Sequence, residues 1–202
     1  AANALRSDIN YGMASGPIEP LGACATKVAT TFRVVEPRSE VKGEAARITF
    51  YMADRYNIGF VDVGGWDTHV AQGGVNGNLA NNLGRLGQAL AAYAKAMGPA
   101  WKNTTVVVIS EFGRTFRENG NRGTDHGHGS VYWVLGGTVR GGRIAGRQVE
   151  VGHATLFQDR DYPVLNDYRA VFGGLFGKLY GLNARQLDTV FPGTRAQDLR
   201  LV

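Results

Sequence analysis

The sequence predicts an α/β fold in which helices alternate with buried strands around a mainly parallel sheet. Short apolar runs ended by polar or glycine residues, such as "IGFVDVGG" and "TTVVVIS", are typical of strands buried on both faces. Longer segments between these runs repeat apolar residues every three or four positions, as amphipathic helices do. Because the two patterns alternate along the chain, we expect parallel strands joined by helical crossovers.

The amino-terminal part of the chain divides near residue 40. Glycine and proline are scattered through residues 1–37 without periodicity, so we predict loop or peripheral structure there. A helix is predicted behind Ser39, a residue type that caps helix amino termini. Its apolar positions are Val41, Ala45, Ile48, Met52 and Tyr56. We therefore expect a peripheral or incomplete segment at 1–40 and one α/β domain at 41–202.

Two strands and a long helix are predicted in the middle of the chain. The apolar run at 58–65 predicts a buried strand, and "TTVVVIS" at 104–110 predicts a second. The helix between them begins near Asn78 and ends at Gly98, which precedes a proline. Its apolar stripe consists of Leu79, Leu83, Leu86, Leu90, Tyr93 and Met97.

The last part of the chain adds a strand, a hairpin and a helix. The run "VYWVLGG" at 131–137 predicts a strand. A Gly-Gly turn in "TVRGGRIAGRQV" at 138–149 predicts a hairpin. The final helix begins at Asp167 and ends at Gly181. Its apolar positions are Tyr168, Val171, Phe172, Leu175, Phe176 and Leu179.

Composition excludes several classes of function. In 202 residues there is no run of roughly 20 apolar residues, so we expect no membrane span. The net charge of +5 is scattered, which does not favour nucleic-acid binding. The single cysteine, Cys24, excludes an internal disulfide framework and a metal site built from cysteines alone. No targeting peptide is visible at the amino terminus. The chain also begins without methionine, so we expect a processed, truncated or incompletely defined chain.

Carboxylate and imidazole side chains gather in three loops at the ends of predicted strands. "GGWDTH" follows the first strand, "SEFGRT" ends the second, and "TDHGHG" precedes the third. In open α/β sheets, ligands bind beyond the carboxyl ends of the strands. Mixed oxygen and nitrogen ligation suits zinc, manganese or iron better than calcium or magnesium. The candidate metal ligands are Asp67, His69, Glu111, Asp125, His126 and His128.

Each candidate also has a purely structural interpretation, and both remain open. Asp67 or His69 after a strand is also typical of a turn or helix cap. Glu111 is spaced to form an ion pair with Arg114. His126 and His128 lie in a glycine-rich loop, where exposed histidines are common. Other chemistries have less support, because the chain has neither a phosphate-binding P-loop motif nor a Gly-x-Ser-x-Gly motif.

These motifs, taken jointly, resemble a bacterial family known as domain of unknown function 1501. The matching stretches are "GGWDTH", "SEFGRT", "GTDHGHG" and "VLGG", followed by "DYRAVF" and "VFPG". The likeness extends over about residues 41–193, roughly the carboxyl-terminal half of a typical member. The family is grouped with the alkaline phosphatase and sulfatase superfamily. That grouping implies a three-layer α/β/α fold, alkaline-phosphatase-like, with one or two metal ions at the strand ends.

The superfamily resemblance also implies roles for individual residues. Asp67 and His69 look like the first set of metal ligands, Glu111 occupies the second position, and His126 or His128 looks like the third. The chain departs from the superfamily in two respects. "SEFG" stands where relatives have Ser-Asp-His-Gly, and no nucleophilic Ser, Thr or sulfatase-type Cys motif is identifiable in residues 1–40.

From these features we predict a hydrolase of phosphate or sulfate esters that depends on a divalent metal, zinc or manganese. The substrate is expected to be a small anionic ester held by Arg114, whose planar guanidinium matches such groups. The alternative is a non-catalytic exported protein that binds a ligand or serves as a scaffold on the same fold. Family members often carry twin-arginine export signals, so the resemblance implies a periplasmic or exported location.

Overall fold

The computed structural model describes the backbone of residues 9–17 and 27–32 and all atoms of residues 58–202. The predicted helix behind Ser39 and the single cysteine lie outside these residues. The chain divides into two compact units, which are described separately. One comprises Ala1–Trp101 with Asn121–Gly123, and the other comprises Lys102–Gly120 with Thr124–Val202.

The first unit contains a three-stranded antiparallel sheet. Its strands are β1 (Ile9–Pro17), β2 (Lys27–Phe32) and β3 (Gly59–Val63), in the order β2-β1-β3. Two of them lie within 1–37, so the loop prediction for those stretches is wrong. Hydrogen bonds to neighbouring strands stabilise these two strands. The prediction failed because local periodicity does not indicate which segments pair in a sheet.

The strand predicted at 58–65 is confirmed as β3, but its burial is not. Ile9 of β1 lies opposite Val63, and the register continues to the pair of Met13 and Gly59. Phe60 is 61% exposed, although the apolar run predicts burial on both faces. An apolar run shows that a strand can be covered, but it does not identify the element that covers it.

The long helix of the first unit is confirmed as α1 (Asn78–Met97). It begins one residue earlier than a cap at Asn78 predicts, because Gly77 occupies the cap position with φ of +122°. The amide of Asn78 instead donates to the carbonyl of Ala71 at 3.3 Å. A 3-10 helix, Gly98–Asn103, follows directly. None of the described helices, including α1, is long and apolar enough to cross a membrane.

The second unit contains two small antiparallel sheets. The predicted strands at 104–110 and 131–137 are confirmed as β4 (Val106–Val108) and β7 (Trp133–Leu135), which pair with each other. Two shorter strands, β5 (Gly113–Arg114) and β6 (His126–Gly127), form the other sheet. No parallel pair occurs among the described strands, so the mainly parallel sheet stays a prediction.

The hairpin predicted at 138–149 is wrong. No strand lies in that segment. Its polar groups bind the end of the chain: the guanidinium of Arg143 donates to the carbonyl of Leu199 at 2.8 Å, and the amide of Arg140 donates to Leu201 at 2.8 Å. These groups therefore donate to residues far along the chain, whereas in a hairpin the two arms would bond to each other.

The last predicted helix is confirmed as α2 (Tyr168–Tyr180), with both predicted ends. The carboxylate of Asp167 accepts from the amide of Arg169 at 2.9 Å, and Gly181 adopts the left-handed conformation with φ of +65°. Leu175 is 3% exposed and belongs to the core of this unit. The predicted apolar face is only partly buried, because Tyr168 at its start is 51% exposed.

A further helix, α3 (Ala184–Val190), is not predicted from periodicity because it is only two turns long. Its signal is a capping box at its start. The amide of Gln186 donates to the side-chain oxygen of Asn183 at 3.1 Å, and the Asn183 amide donates back to the Gln186 side chain at 2.9 Å. Its carboxyl end is held by Phe191, whose ring stacks on that of Phe176 in α2 with centroids 6.0 Å apart.

Asn183→Ala is expected to lower the free energy of unfolding by about 1 kcal/mol, because it removes one of the two reciprocal capping bonds. Urea denaturation of the full chain measures this change. Asn183→Asp is the matched control, since its carboxylate can still accept the bond from Gln186, and it should leave stability within roughly 0.5 kcal/mol of wild type. Equal stability of the alanine and aspartate variants would show that the cap does not stabilise α3.

Candidate metal centre

The loop after β3 forms a tight, internally bonded turn in the first unit. Gly65 adopts φ of +89°, which allows the chain to leave the strand sharply. The indole Nε1 of Trp66 donates to the carbonyl of Val63 at 2.6 Å, and the amide of Asn82 in α1 donates to the carbonyl of Gly65 at 2.7 Å. The turn is thus fixed to both the strand before it and the helix after it.

This turn brings a carboxylate and an imidazole together. Nε2 of His69 lies 3.0 Å from Oδ1 of Asp67, with the two side chains 40% and 62% exposed. Thr68 between them is buried, and its hydroxyl donates to the side chain of Gln72 at 2.7 Å. The buried threonine leaves its two neighbours at the surface, so the loop is a turn that also presents a carboxylate and an imidazole.

A second segment of the first unit, Asn121–Gly123, packs against this loop. The amide of Ala71 donates to the carbonyl of Asn121 at 3.0 Å, and that of Gln72 donates to Arg122 at 2.8 Å. Gly123 is so close that a Cβ there would lie 2.3 Å from the carbonyl carbon of His69. Only glycine fits this approach without displacing the backbone beside His69.

In the second unit, paired glycines allow β5 and β6 to approach each other closely. A Cβ on Gly127 would lie 2.6 Å from the carbonyl oxygen of Arg114, and one on Gly113 would lie 1.9 Å from that of Gly129. His126 lies opposite Arg114 in the register, and its ring packs on Phe112 with centroids 4.3 Å apart. Backbone pairing and ring contact therefore both hold His126.

Three of the predicted ligands form a possible metal-binding triad: Asp67, His69 and His126. Each offers one ligand atom, and these atoms lie within 4.8 Å of one another. One carboxylate oxygen with two imidazole nitrogens is a donor set that fits zinc, manganese or iron. Three protein ligands also match the usual composition of catalytic zinc sites, in which a further position is left for water or substrate.

The other sequence candidates lie outside this triad. Glu111 is exposed just after β4. The carboxylate of Asp125 accepts from the amide of Asn119 at 2.9 Å, which closes the loop between β5 and β6. Arg114, the predicted substrate contact, donates through Nε to the hydroxyl of Thr124 at 3.0 Å and through its terminal nitrogen to the Thr124 carbonyl. Its guanidinium thus stabilises the loop that leads to β6.

His128 is held by a residue that the sequence does not single out. Its Nδ1 lies 2.6 Å from Oδ2 of Asp161, whose side chain is completely buried. No local pattern around Asp161 predicts this contact, because the two residues are 33 positions apart along the chain and meet only in the folded protein. The sequence around Asp161 therefore contains no signal that could have identified this contact.

Comparison with known proteins places the chain in a family. It is similar over 56 residues to Endonuclease-1 of Buchnera aphidicola subsp. Acyrthosiphon pisum (strain APS), with 36% identity across 28% of this chain and 22% of that protein. The chain thus spans about a fifth of the length of this curated relative. No solved structure matches it. Residues 25–191, well over half of the chain, match the family described as "Protein of unknown function (DUF1501)", and the chain belongs to that family.

Proposed function

We propose that the protein is a metal-dependent hydrolase of phosphate or sulfate esters. The observation that carries the proposal is the triad of Asp67, His69 and His126, whose ligand atoms lie within 4.8 Å of one another. A divalent cation held there would act as a Lewis acid toward an ester oxygen and stabilise negative charge in the transition state. The donor set favours zinc or manganese for this purpose.

The chain's own residues supply the rigidity that such a site needs. The turn carrying Asp67 and His69 is bonded to β3 and α1, and the ring of His126 packs on Phe112. Catalytic groups on a scaffold fixed in this way keep their geometry as charge develops, at no reorganisation cost. Arg114 stays our proposed contact for the anionic group of the substrate, although it also donates to Thr124.

The wider placement of the family is part of the same proposal. We propose that it belongs to the alkaline phosphatase and sulfatase superfamily, with a three-layer fold and an exported location, as the motif resemblance implies. The similarity to Endonuclease-1 adds little support, because it covers only 28% of this chain. A nucleic acid is therefore only one of several phosphodiesters worth testing.

Hydrolysis assays test the proposal directly. The full chain, loaded with zinc or with manganese, is incubated with aryl phosphate monoesters, aryl phosphodiesters, aryl sulfates and single-stranded DNA. We expect turnover of at least one class, reduced roughly 100-fold or more by chelation and restored by adding the metal back. A chain that binds metal but hydrolyses none of these esters would contradict the proposal and favour the non-catalytic ligand-binding alternative.

A matched variant pair separates this site from adventitious metal. His69→Gln is expected to abolish hydrolysis, whereas His153→Gln should leave it unchanged, since His153 is 82% exposed and does not belong to the triad. Equal loss in both variants would indicate a general effect on the fold. Full activity in His69→Gln would exclude the triad as the site of hydrolysis.

A further inference from the structure

Asp161 is a buried carboxylate whose two oxygens differ in their contacts. Its side chain is fully buried, and Oδ2 is the acceptor for two partners, Nδ1 of His128 at 2.6 Å and a guanidinium nitrogen of Arg160 at 3.0 Å. Oδ1 is buried and has no hydrogen-bond partner in the part of the chain that the structure describes. A buried carboxylate oxygen without a donor costs free energy, so its presence calls for an explanation.

The backbone fixes Asp161 where it can hold His128. Phe157 and Asp161 exchange two backbone hydrogen bonds, at 2.8 and 3.1 Å, across a turn in which Gln158 and Asp159 both adopt positive φ. The flanking residues are bonded on both sides, since Phe116 donates to the carbonyl of Arg160 and Gly129 donates to that of Tyr162. The backbone position of Asp161 is therefore fixed, and we infer that its carboxylate orients the imidazole of His128 rather than the reverse.

The orientation defines what His128 presents to solvent. A carboxylate accepts hydrogen bonds, so its 2.6 Å contact places the ring hydrogen on Nδ1. In the neutral ring the lone pair is then on Nε2, at the opposite edge of a side chain that is 53% exposed. Phe157 lies against the ring, with centroids 4.8 Å apart, and limits its rotation. His128 also follows His126 by two positions, so its Cα lies within about 7 Å of the Cα of that proposed ligand.

We propose that Asp161 and His128 form a catalytic dyad in the hydrolysis proposed above. Asp161 is the positioning residue, and Nε2 of His128 accepts a proton from the attacking water. As that O–H bond breaks, the water oxygen forms a bond to phosphorus or sulfur. The bond to the ester leaving oxygen breaks, solvent protonates that oxygen, and His128 returns its proton to solvent. This role differs from the metal-ligand role that the sequence suggests for His128.

A second Asp–His pair in the same unit serves as the control. Nδ1 of His153 lies 2.7 Å from Oδ1 of Asp159, a contact of nearly the same length. Both side chains are exposed, at 82% and 53%, and Arg117 also donates to Asp159 at 2.9 Å. The hydrogen bond from Arg117 lowers the pKa of Asp159. This pair matches the His128–Asp161 distance, but its carboxylate is exposed rather than buried. Substitutions in this pair should therefore leave kcat unchanged.

The tautomer of His128 is measurable without any activity. Long-range ¹H–¹⁵N NMR of the full chain with ¹⁵N-labelled histidine identifies which ring nitrogen carries the hydrogen, and His128→Gln assigns the signal. We expect the hydrogen on Nδ1 of His128. Asp161→Asn is expected to move it to Nε2, because the asparagine amide can donate to Nδ1. A wild-type chain with the hydrogen on Nε2 overturns the proposal, whether or not Asp161→Asn folds.

Kinetics supply the second arm of the test. The side chain of His128 is 53% exposed, so the His128→Gln variant should fold. We expect its kcat to be lower by roughly 100-fold or more, with its metal content unchanged. Asp161→Asn should lower kcat similarly with little change in KM, and Asp159→Asn should match wild type. Unchanged kcat in His128→Gln contradicts the catalytic role. If wild type binds metal but hydrolyses no ester, the proposed function fails and the catalytic role with it, while the tautomer still decides whether Asp161 positions His128.

Discussion

His69→Gln and His126→Gln are each expected to weaken metal binding by more than about 100-fold. Loss of residues that only support a metal ligand already costs 10- to 100-fold, and loss of a ligand costs more. The ligand atoms of Asp67, His69 and His126 lie within 4.8 Å of one another, so in the proposed site each histidine would supply one of three protein bonds. Competition with a chromogenic chelator measures the affinity for zinc and for manganese.

Two controls make this result specific. His153→Gln removes an exposed imidazole outside the triad and should bind metal as wild type does. His128→Gln should also retain the metal, since His128 contacts Asp161 and is not a member of the triad. Wild-type affinity in either His69→Gln or His126→Gln would remove that residue from the ligand set. Loss of affinity in His128→Gln would restore it as a ligand, as the sequence suggests.

Gly123→Ala is expected to weaken metal binding by roughly 10- to 100-fold although the residue is no ligand. The added Cβ would lie 2.3 Å from the carbonyl carbon and oxygen of His69 and 2.5 Å from the carbonyl oxygen of Thr68. Contacts that short force the backbone apart, at a cost of about 1–3 kcal/mol. Because the strain falls on the peptide of His69, the imidazole moves away from its position beside Asp67. The same chelator competition measures the change.

Gly120→Ala is the matched control, because a Cβ at that position meets no atom within 4 Å. It tests the effect of replacing a glycine in the same loop without the collision. We expect its metal affinity to stay within about threefold of wild type, as surface substitutions change free energies by roughly 0.5 kcal/mol. If Gly123→Ala binds metal as tightly as Gly120→Ala, the packing of this segment on His69 does not set the geometry of the site.

The parts of the fold that could be predicted are those with a local signal. Periodic apolar residues predicted α1 and α2, and Asp167 and Gly181 marked the ends of α2 because caps are properties of single residues. Strand β3 was predicted, but the exposure of Phe60 was not. The failed hairpin at 138–149 shows the limit: its turn signal is local, but Arg143 in that segment bonds to Leu199, 56 residues away along the chain.

The candidate site divides in the same way. Asp67 and His69 are two residues apart, so their proximity follows from the chain itself and could be predicted. His126 was predicted from the glycine-rich loop, although its contact with Phe112 was not. Asp161 was missed altogether, because its contact with His128 spans 33 residues and has no motif. Sequence patterns indicated the chemistry of the loops, while long-range pairing determined which side chains meet.

The central claim is that Asp67, His69 and His126 hold one divalent metal ion. Equilibrium dialysis of the full chain against zinc or manganese, followed by elemental mass spectrometry, measures the metal bound per chain. The account predicts close to one equivalent in wild type and in His153→Gln, and close to none in the double variant His69→Gln/His126→Gln. A metal-free wild type, or an undiminished equivalent in the double variant, would contradict it.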